Sequence, residues 1–267
     1  MELTGKVAIV TGGARGLGHA YVLRLAKLGA DVAVVDIDLK GGAKFGEPMS
    51  ADTVADEVRA LGRRSIEIEA DLSKREAAND VVKQVMAEFG RIDILVNNAG
   101  GAITPAERSL PSTIPDEDIH LTLDANFMSA VFCCQAVIPV MKQQKSGIII
   151  NTSSGAARNV SRGGSYSVYG AAKAAVTQYT RSLAAELGKF GIRANCIAPG
   201  IMMTARIKAQ AQSRNIGVAS DLERIPLGRL GEPEDCAGVI QFLSTDLSRF
   251  VTGQCISVCG GSALTPA

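Results

Sequence analysis

The stretch Val7-Ala8-Ile9-Val10-Thr11-Gly12-Gly13-Ala14-Arg15-Gly16-Leu17-Gly18 decides the fold. Four successive apolar residues predict a strand covered on both faces, as parallel strands are. Beyond the glycines, Leu17, Tyr21, Leu25 and Leu28 recur at near-helical intervals and put an apolar stripe on a helix. Strand, glycine-rich turn and helix in that order are the context a dinucleotide-binding turn requires. Gly12 permits the sharp turn, Gly16 lets the backbone approach a pyrophosphate, and Gly18 allows close packing of helix on strand. Backbone N–H groups at the helix N-terminus then favour negative phosphates. A tight turn without a ligand also uses glycines, so the context carries the reading. A P-loop is excluded by residue type: Gly13 and Gly18 have its spacing, but His19-Ala20 stands where Lys and Ser or Thr are needed.

Outward from this stretch, short apolar runs alternate with segments of helical period. Strands are predicted at residues 7–10, 31–36, 65–70, 92–97, 147–152, 193–198 and 254–258. Helices are predicted at 17–28, 52–61, 75–89, 116–143, 169–190 and 233–245. Regular alternation of apolar strands with helices predicts an α/β fold, a Rossmann-like, doubly wound sheet of seven parallel strands with helices on both faces. No linker, repeat or low-complexity block divides the 267 residues, so one domain is expected. Two segments break the rhythm, residues 40–50 with three glycines and a proline, and residues 204–227 after a Pro-Gly. Both start beyond the carboxyl ends of strands, where ligands of open α/β sheets bind, and both are candidate covering loops.

Composition narrows the class. Hydrophobic residues make up 46% of the chain and aromatic ones only 4%, so the core must be aliphatic. The formal net charge is +1 without a long basic run, which offers nothing for nucleic acid or an anionic membrane surface. No secretion signal is expected at the N-terminus, nor any stretch long and apolar enough to span a bilayer. The six cysteines include the adjacent pair Cys133-Cys134 and no C-x-x-C spacing, as expected of small buried residues in a reducing cytoplasm. The sequons at Asn151 and Asn159 then read as chance matches.

Asp36 ends the second predicted strand about 20 residues past the glycine turn, where a carboxylate accepts hydrogen bonds from the adenosine ribose. It would repel the 2′-phosphate of NADP. Arg15 opposes it, because a guanidinium near that ribose could hold the phosphate. Ile37 follows Asp36 and is not basic, so NAD is the expected cofactor and NADP the alternative. Asp36 as a helix cap or solvated acid is the plainer possibility.

Tyr169-Gly170-Ala171-Ala172-Lys173 opens a long helical segment, and a spacing of four puts phenol and ammonium on one face. To act as a base near neutrality a Tyr needs its pKa lowered by about three pH units, roughly 4 kcal/mol. One cation about 4 Å away, at an effective dielectric near 20, supplies about that much. Tyr-x-x-x-Lys on its own also describes a packing Tyr beside a surface Lys. With only His19 and His120 in the chain and no cluster of metal-ligating residues, histidine- or zinc-based alcohol chemistry is not expected.

Taken together, these residues resemble the short-chain dehydrogenase/reductase family over nearly the whole chain. Residues 11–18 match its TGxxxGxG turn, Asn97-Asn98-Ala99-Gly100 its NNAG motif, and Tyr169 to Lys173 its YxxxK. Asn151-Thr152-Ser153-Ser154 resembles the segment holding the family's active-site serine, Asn126 falls at its helix asparagine, and Pro199-Gly200 with Thr204 fits its PGxxxT. The resemblance implies interconversion of a secondary alcohol and a ketone by hydride transfer. Tyr169 would be the general acid/base, Lys173 would lower its pKa and bind the nicotinamide ribose, Ser154 would hold the substrate oxygen, and Asn126 would hold a relay water. The cofactor would be lined by Gly12, Arg15, Gly16, Leu17, Gly18, Asp36 and Ile37, by Asp71 and Leu72 at the adenine, and by Asn98, Ala99 and Gly100. Pro199, Gly200, Ile201, Met202 and Thr204 would flank the nicotinamide.

The substrate side would include Ala156, Tyr166 and Met203 with Ser154, besides Ala102, Ile103, Arg158 and Met202. Arg158, Arg162, Arg206 and Lys208 would attract an anion or be ordinary loop charges. The partner expected is a small alcohol or ketone, with no nucleic acid and no membrane. A homotetramer is implied through the helices at 116–143 and 169–190, with Ala172, Val176, Leu183 and Leu187 either at the interface or in the core. Three departures stand out. Ser154 lies two residues farther from Tyr169 than the family's usual spacing, which leaves Ser153 as an alternative, and the segments 40–50 and 102–114 are longer than usual. An NADP-dependent 3-oxoacyl-thioester reductase and a catalytically silent NAD-binding scaffold are the competing readings.

Overall fold

Hydrogen bonding lines up β1 (Val7–Thr11), β2 (Asp31–Asp36), β3 (Ser65–Glu69), β4 (Ile94–Asn97), β5 (Gly147–Thr152), β6 (Ile192–Pro199) and β7 (Cys255–Val258) in one sheet. The computed structural model describes residues 2–161, 163–212 and 216–264. The strand order is β3-β2-β1-β4-β5-β6-β7 and every pairing is parallel. The chain winds outward from β1 in both directions, so the order reverses between β1 and β4, and a crevice opens at their carboxyl ends.

The alternation of side chains along each strand builds a core on each face. Ala8 and Val10 of β1 face α1 (Gly16–Lys27) and α9 (Pro233–Ser244), packing with Tyr21, Leu25, Ile240 and Leu243. Val7 and Ile9 face the opposite layer, which includes α3 (Arg75–Phe89), α5 (Ser129–Gln144) and α6 (Ser167–Leu187). Each Leu or Ile so buried contributes about 1.5–3 kcal/mol. The shorter α2 (Val54–Ala60) lies between β2 and β3, and α4 (Asp116–Leu123) precedes α5; α7 (Ala205–Gln210) and α8 (Ala219–Leu222) belong to the segment after β6.

Three expectations change. The fourth strand begins at Ile94 rather than at residue 92. Ahead of it, the Asp93 carboxylate accepts the Val7 N–H at 3.0 Å, and Gln144 accepts the Ile92 N–H at 3.1 Å. The helix predicted over 116–143 is α4 and α5 joined by a π-helical turn, Asp124–Met128. Together they form a continuous run, Asp116–Gln144, that by length and composition is long enough and apolar enough to cross a membrane. No stretch of that kind was expected; within the fold, Cys133, Cys134, Val137 and Met141 of this run are buried in the core beside residues of α3 and α6. Ala172, Val176, Leu183 and Leu187 are likewise buried within the chain itself, which leaves them no surface to offer a second subunit.

The sequon at Asn151 lies inside the sheet. Asn151 is fully buried, accepting from Asn97 Nδ2 at 2.8 Å and donating to Thr180 Oγ1 at 2.9 Å.

Candidate active site

The crevice at the carboxyl ends of β1, β4, β5 and β6 is a cleft of about 1430 Å³. That exceeds the roughly 300–1,000 Å³ of an ordinary small-molecule pocket and leaves space for a dinucleotide together with a substrate. At one end lie Asp36, Ile37, Asp71 and Leu72; at the other lie Ser154, Tyr166, Tyr169 and Lys173. Between them run Gly12, Gly16 and Leu17 on one side, with Asn98, Ala99 and Gly100 beside them. Pro199, Gly200, Ile201, Met202 and Thr204 form the opposite wall.

The glycine turn is built for close approach. Gly16 has φ +58°, which an L side chain adopts only under strain, and a Cβ there would meet Thr204 Cγ2 at 3.3 Å. Gly18 does not face the cleft; a Cβ on it would stand 1.9 Å from the Gly12 carbonyl oxygen, so α1 rests directly on the turn. The Thr11 hydroxyl accepts the N–H groups of Asn98 at 3.0 Å and Ala99 at 3.1 Å, and Asn98 Nδ2 donates to the Gly12 carbonyl at 3.0 Å. These bonds fix the ends of β1 and β4 against each other. Asp36 is buried, and its Oδ2 accepts the Ala14 N–H at 3.1 Å. Asp71 accepts the Ser73 N–H at 3.0 Å through Oδ1.

At the other end, Lys173 is 3% exposed and donates its Nζ to the Thr152 carbonyl at 2.8 Å, 5.9 Å from the centre of the Tyr169 ring. Burial lowers its pKa to about 8, so it keeps most of its charge at neutrality. Burial raises the Tyr169 phenol above its ordinary value, while the Ser154 hydroxyl and the Arg206 charge pull it back. The expected lowering by Lys173 is not what dominates here, because the ammonium is directed at a carbonyl and the phenol is enclosed. Ser153 is 2% exposed and hydrogen-bonded to the Lys173 carbonyl at 2.9 Å and to Thr177 Oγ1 at 2.8 Å. Of the two serines, Ser154 therefore faces the phenol. Ser154→Ala is expected to cut turnover about 10–100-fold with little change in melting temperature. Ser153→Ala should instead cost about 1 kcal/mol of stability and spare the chemistry. Paired kinetics and thermal melts check this, and the reverse pattern would assign the roles the other way.

Residues of this cleft suit a nicotinamide dinucleotide: a backbone cradle that a Cβ would fill, an acid beyond it, and a buried Thr152 hydroxyl without a hydrogen-bond partner among the described residues at the reacting end. A family model described as enoyl-(acyl carrier protein) reductase matches residues 12–263. Cyclohexanol dehydrogenase of Rhodococcus sp. (strain TK6) is 46% identical over 264 residues, covering 98% of this chain and 97% of that protein. The chain belongs to the short-chain dehydrogenase/reductase family. A 3-oxoacyl-(acyl-carrier-protein) reductase from a Synechocystis strain is 36% identical over 264 residues, 98% of each chain. The solved structure of NAD+-bound xylitol dehydrogenase has a TM-score of 0.86 and 28% identity, covering 98% of this chain and 100% of that one. As a short-chain dehydrogenase/reductase the protein is an oxidoreductase that acts on a CH–OH group with a nicotinamide cofactor.

Not every residue expected in this dehydrogenase's site reaches the cleft. Ala156 sits in the turn after Ser154, where its N–H donates to Ser154 Oγ at 3.1 Å. Met203 is held outside the lining by its N–H bond to the Gly231 carbonyl at 2.7 Å, and Met202 takes the wall position. Arg158 is turned away to β7, donating to Ser257 Oγ at 2.7 Å and to the Cys255 carbonyl at 3.0 Å. Lys208 pairs with Glu232 at 3.6 Å. Arg162 lies outside the described residues, as does part of the 204–227 segment. Asn126 is 1% exposed and lies behind the wall, with Oδ1 accepting the Gly101 N–H at 2.8 Å and Nδ2 donating to the Gly101 carbonyl at 3.0 Å. It shapes the backbone next to the reacting end rather than lining it. Glu47 was missed: it lines the cleft and accepts the Gly16 N–H at 2.9 Å.

Proposed function

We propose that this chain is an NAD-dependent dehydrogenase of secondary alcohols, with Tyr169 as the general base in oxidation and the general acid in reduction. The convergence of Tyr169, Ser154 and Lys173 at one end of a cleft whose other end carries Asp36 is the observation that supports it. Ser154 holds the carbinol oxygen against Tyr169, which takes its proton. Lys173 holds the ribose hydroxyls next to the nicotinamide and, with its charge, favours the phenolate. Asn126 keeps Gly101 in place behind the reacting end of the cleft. When bound, the oxidised nicotinamide supplies the hydride acceptor and a positive charge beside the phenol.

Asp36 favours NAD over NADP by accepting ribose hydroxyls and repelling a 2′-phosphate. Gly12, Leu17 and the first-turn N–H groups of α1 other than that of Gly16, which Glu47 holds, carry the pyrophosphate, Asp71 and Leu72 the adenine, and Thr204 the carboxamide. The substrate end, with Ile103, Tyr166, Met202 and Ile207 along it, suits a compact apolar carbinol. The name of the Rhodococcus relative, a cyclohexanol dehydrogenase, agrees with that class. Of the segment after β6, Thr204, Arg206, Ile207 and Gln210 line the cleft and would cover the substrate. The fold is taken as one domain, and the active form as a homotetramer, for which light scattering should give four times the 27.8 kDa chain mass.

The test is a panel of cyclic and linear secondary alcohols with NAD+ and NADP+, and of 3-oxoacyl thioesters with NADH and NADPH, following reduced-nicotinamide absorbance. Turnover of cyclic alcohols with NAD+ is expected. Turnover confined to 3-oxoacyl thioesters with NADPH would replace this reading with that of the reductase.

A further inference from the structure

The segment between β2 and α2 folds back onto the glycine turn instead of extending into solvent, and its anchor is a set of buried ionisable groups. His19, in the first turn of α1, bonds Glu57 of α2 through Nε2 at 2.5 Å and faces Glu47 through Nδ1 at 3.6 Å. The His19 and Glu47 side chains are each 9% exposed and that of Glu57 4%. Glu57 also accepts both the N–H and the hydroxyl of Ser50 at 2.6 Å, which ties down the far end of the segment. Burial alone would lower the His19 pKa, but the two glutamates outweigh it and raise it. Burial would raise the Glu47 carboxyl, yet His19, the Gly16 N–H and Arg15 hold it below its ordinary value. The cluster therefore keeps Glu47 charged on the Gly16 N–H.

The same segment takes hold of Arg15. Its guanidinium stacks over the Phe45 ring, 5.3 Å from the centre, and its charge acts on both Asp38 and Glu47. Lys44, the neighbouring cation on the segment, donates to Asp38 at 2.5 Å. Asp36, Glu47 and Arg15 all line the cleft at the end where the adenosine ribose is expected. A phosphate arriving there meets the Asp36 and Glu47 carboxylates and a guanidinium stacked on Phe45.

We propose that residues 38–50 form a cofactor-selectivity clasp, in which Phe45 and Glu47, held by His19 and Glu57, withhold Arg15 from the 2′-phosphate of NADP. This rests on the NAD reading above, and it assigns the exclusion of NADP to the clasp as well as to Asp36. His19 and Glu57 are positioning residues that act through Glu47.

The experiment is calorimetric titration of NAD+ and NADP+ into the wild type, Phe45→Ala/Glu47→Gln, and the same double variant with Arg15→Ala added. Circular dichroism melts verify that each is folded. The double variant is expected to bind NADP+ about tenfold more tightly than the wild type, with a much smaller change for NAD+. Adding Arg15→Ala should abolish that gain, because the released guanidinium is its source. Unchanged NADP+ affinity, parallel shifts for both cofactors, or a gain that survives the loss of Arg15 would each overturn the clasp. A wild type that itself prefers NADP+ would overturn the NAD reading, so the two failures are distinguishable. A parallel titration of His19→Gln tests the anchor: it should move the NADP+ to NAD+ affinity ratio in the same direction as the double variant, whereas a purely structural role would lower both affinities together.

Discussion

Replacing Tyr169 by Phe is expected to lower the rate of alcohol oxidation by about 10²–10⁴-fold, the range for removing a positioned general base. Phenylalanine keeps the ring that lines the cleft next to Ser154 and Lys173, so cofactor affinity measured by calorimetry should change little. The loss belongs in kcat. The phenol sits above its ordinary pKa through burial and is drawn back by Ser154 and Arg206, so the base form grows as pH rises. Oxidation should therefore accelerate with pH, and carbonyl reduction, which needs the protonated phenol, should slow. Lys173 loses its proton through about pH 8, which removes a charge that favours phenolate, so the oxidation profile should bend over above that point. A Phe variant keeping more than about a tenth of the wild-type rate would place the base elsewhere.

Gly18→Ala is expected to damage both the fold and the cofactor site. A Cβ at residue 18 would lie 1.9 Å from the Gly12 carbonyl oxygen and 2.8 Å from Asn98 Nδ2. Neither neighbour can yield cheaply: the first is backbone of the turn, and the second donates to the Thr11 and Gly12 carbonyls. The helix must lift off the turn, at a cost of about 1–3 kcal/mol or more. For a chain of this size each kcal/mol lowers the melting temperature by about 2–4 °C. Because the displaced groups are those that would face the pyrophosphate, NAD+ affinity should fall by at least tenfold, about 1.4 kcal/mol. An unchanged melt with unchanged affinity would mean that the turn tolerates a side chain and that Gly18 has no packing role.

Much of the architecture can be read along the chain because its determinants are local. The apolar runs at Val7–Thr11 and Gly147–Thr152, the glycines at 12, 16 and 18, and the four-residue interval from Tyr169 to Lys173 each report on near neighbours. What escaped reading depends on distant partners. Glu47 reaches Gly16 across 31 positions, and nothing in the sequence around residue 47 announces the contact. Arg158 is committed to Ser257, 99 positions away, so its proximity to Ser154 in sequence misleads. Ala156 and Met203 failed for a related reason: adjacency to a site residue sets position along the backbone, but loop geometry decides which neighbour faces inward. The choice between Ser153 and Ser154 turned on the hydrogen bonds of Ser153 to α6, again a tertiary fact.

The π-helical turn between α4 and α5 has a geometric corollary. One added residue advances an α-helix by about 100°, so the faces of α4 and α5 are out of phase by about that angle. A single helical wheel drawn from Asp116 to Gln144 superimposes two different inward directions and spreads the apolar positions around the whole circumference. Read as two wheels, the buried positions separate into Asp118 and Thr122 on α4 and a mainly apolar face through Ala130, Cys134, Val137 and Met141 on α5. The added residue is thus an angular gear: it lets one uninterrupted rod present Asn126 to Gly101 at one level and Cys134 and Met141 to the sheet at another.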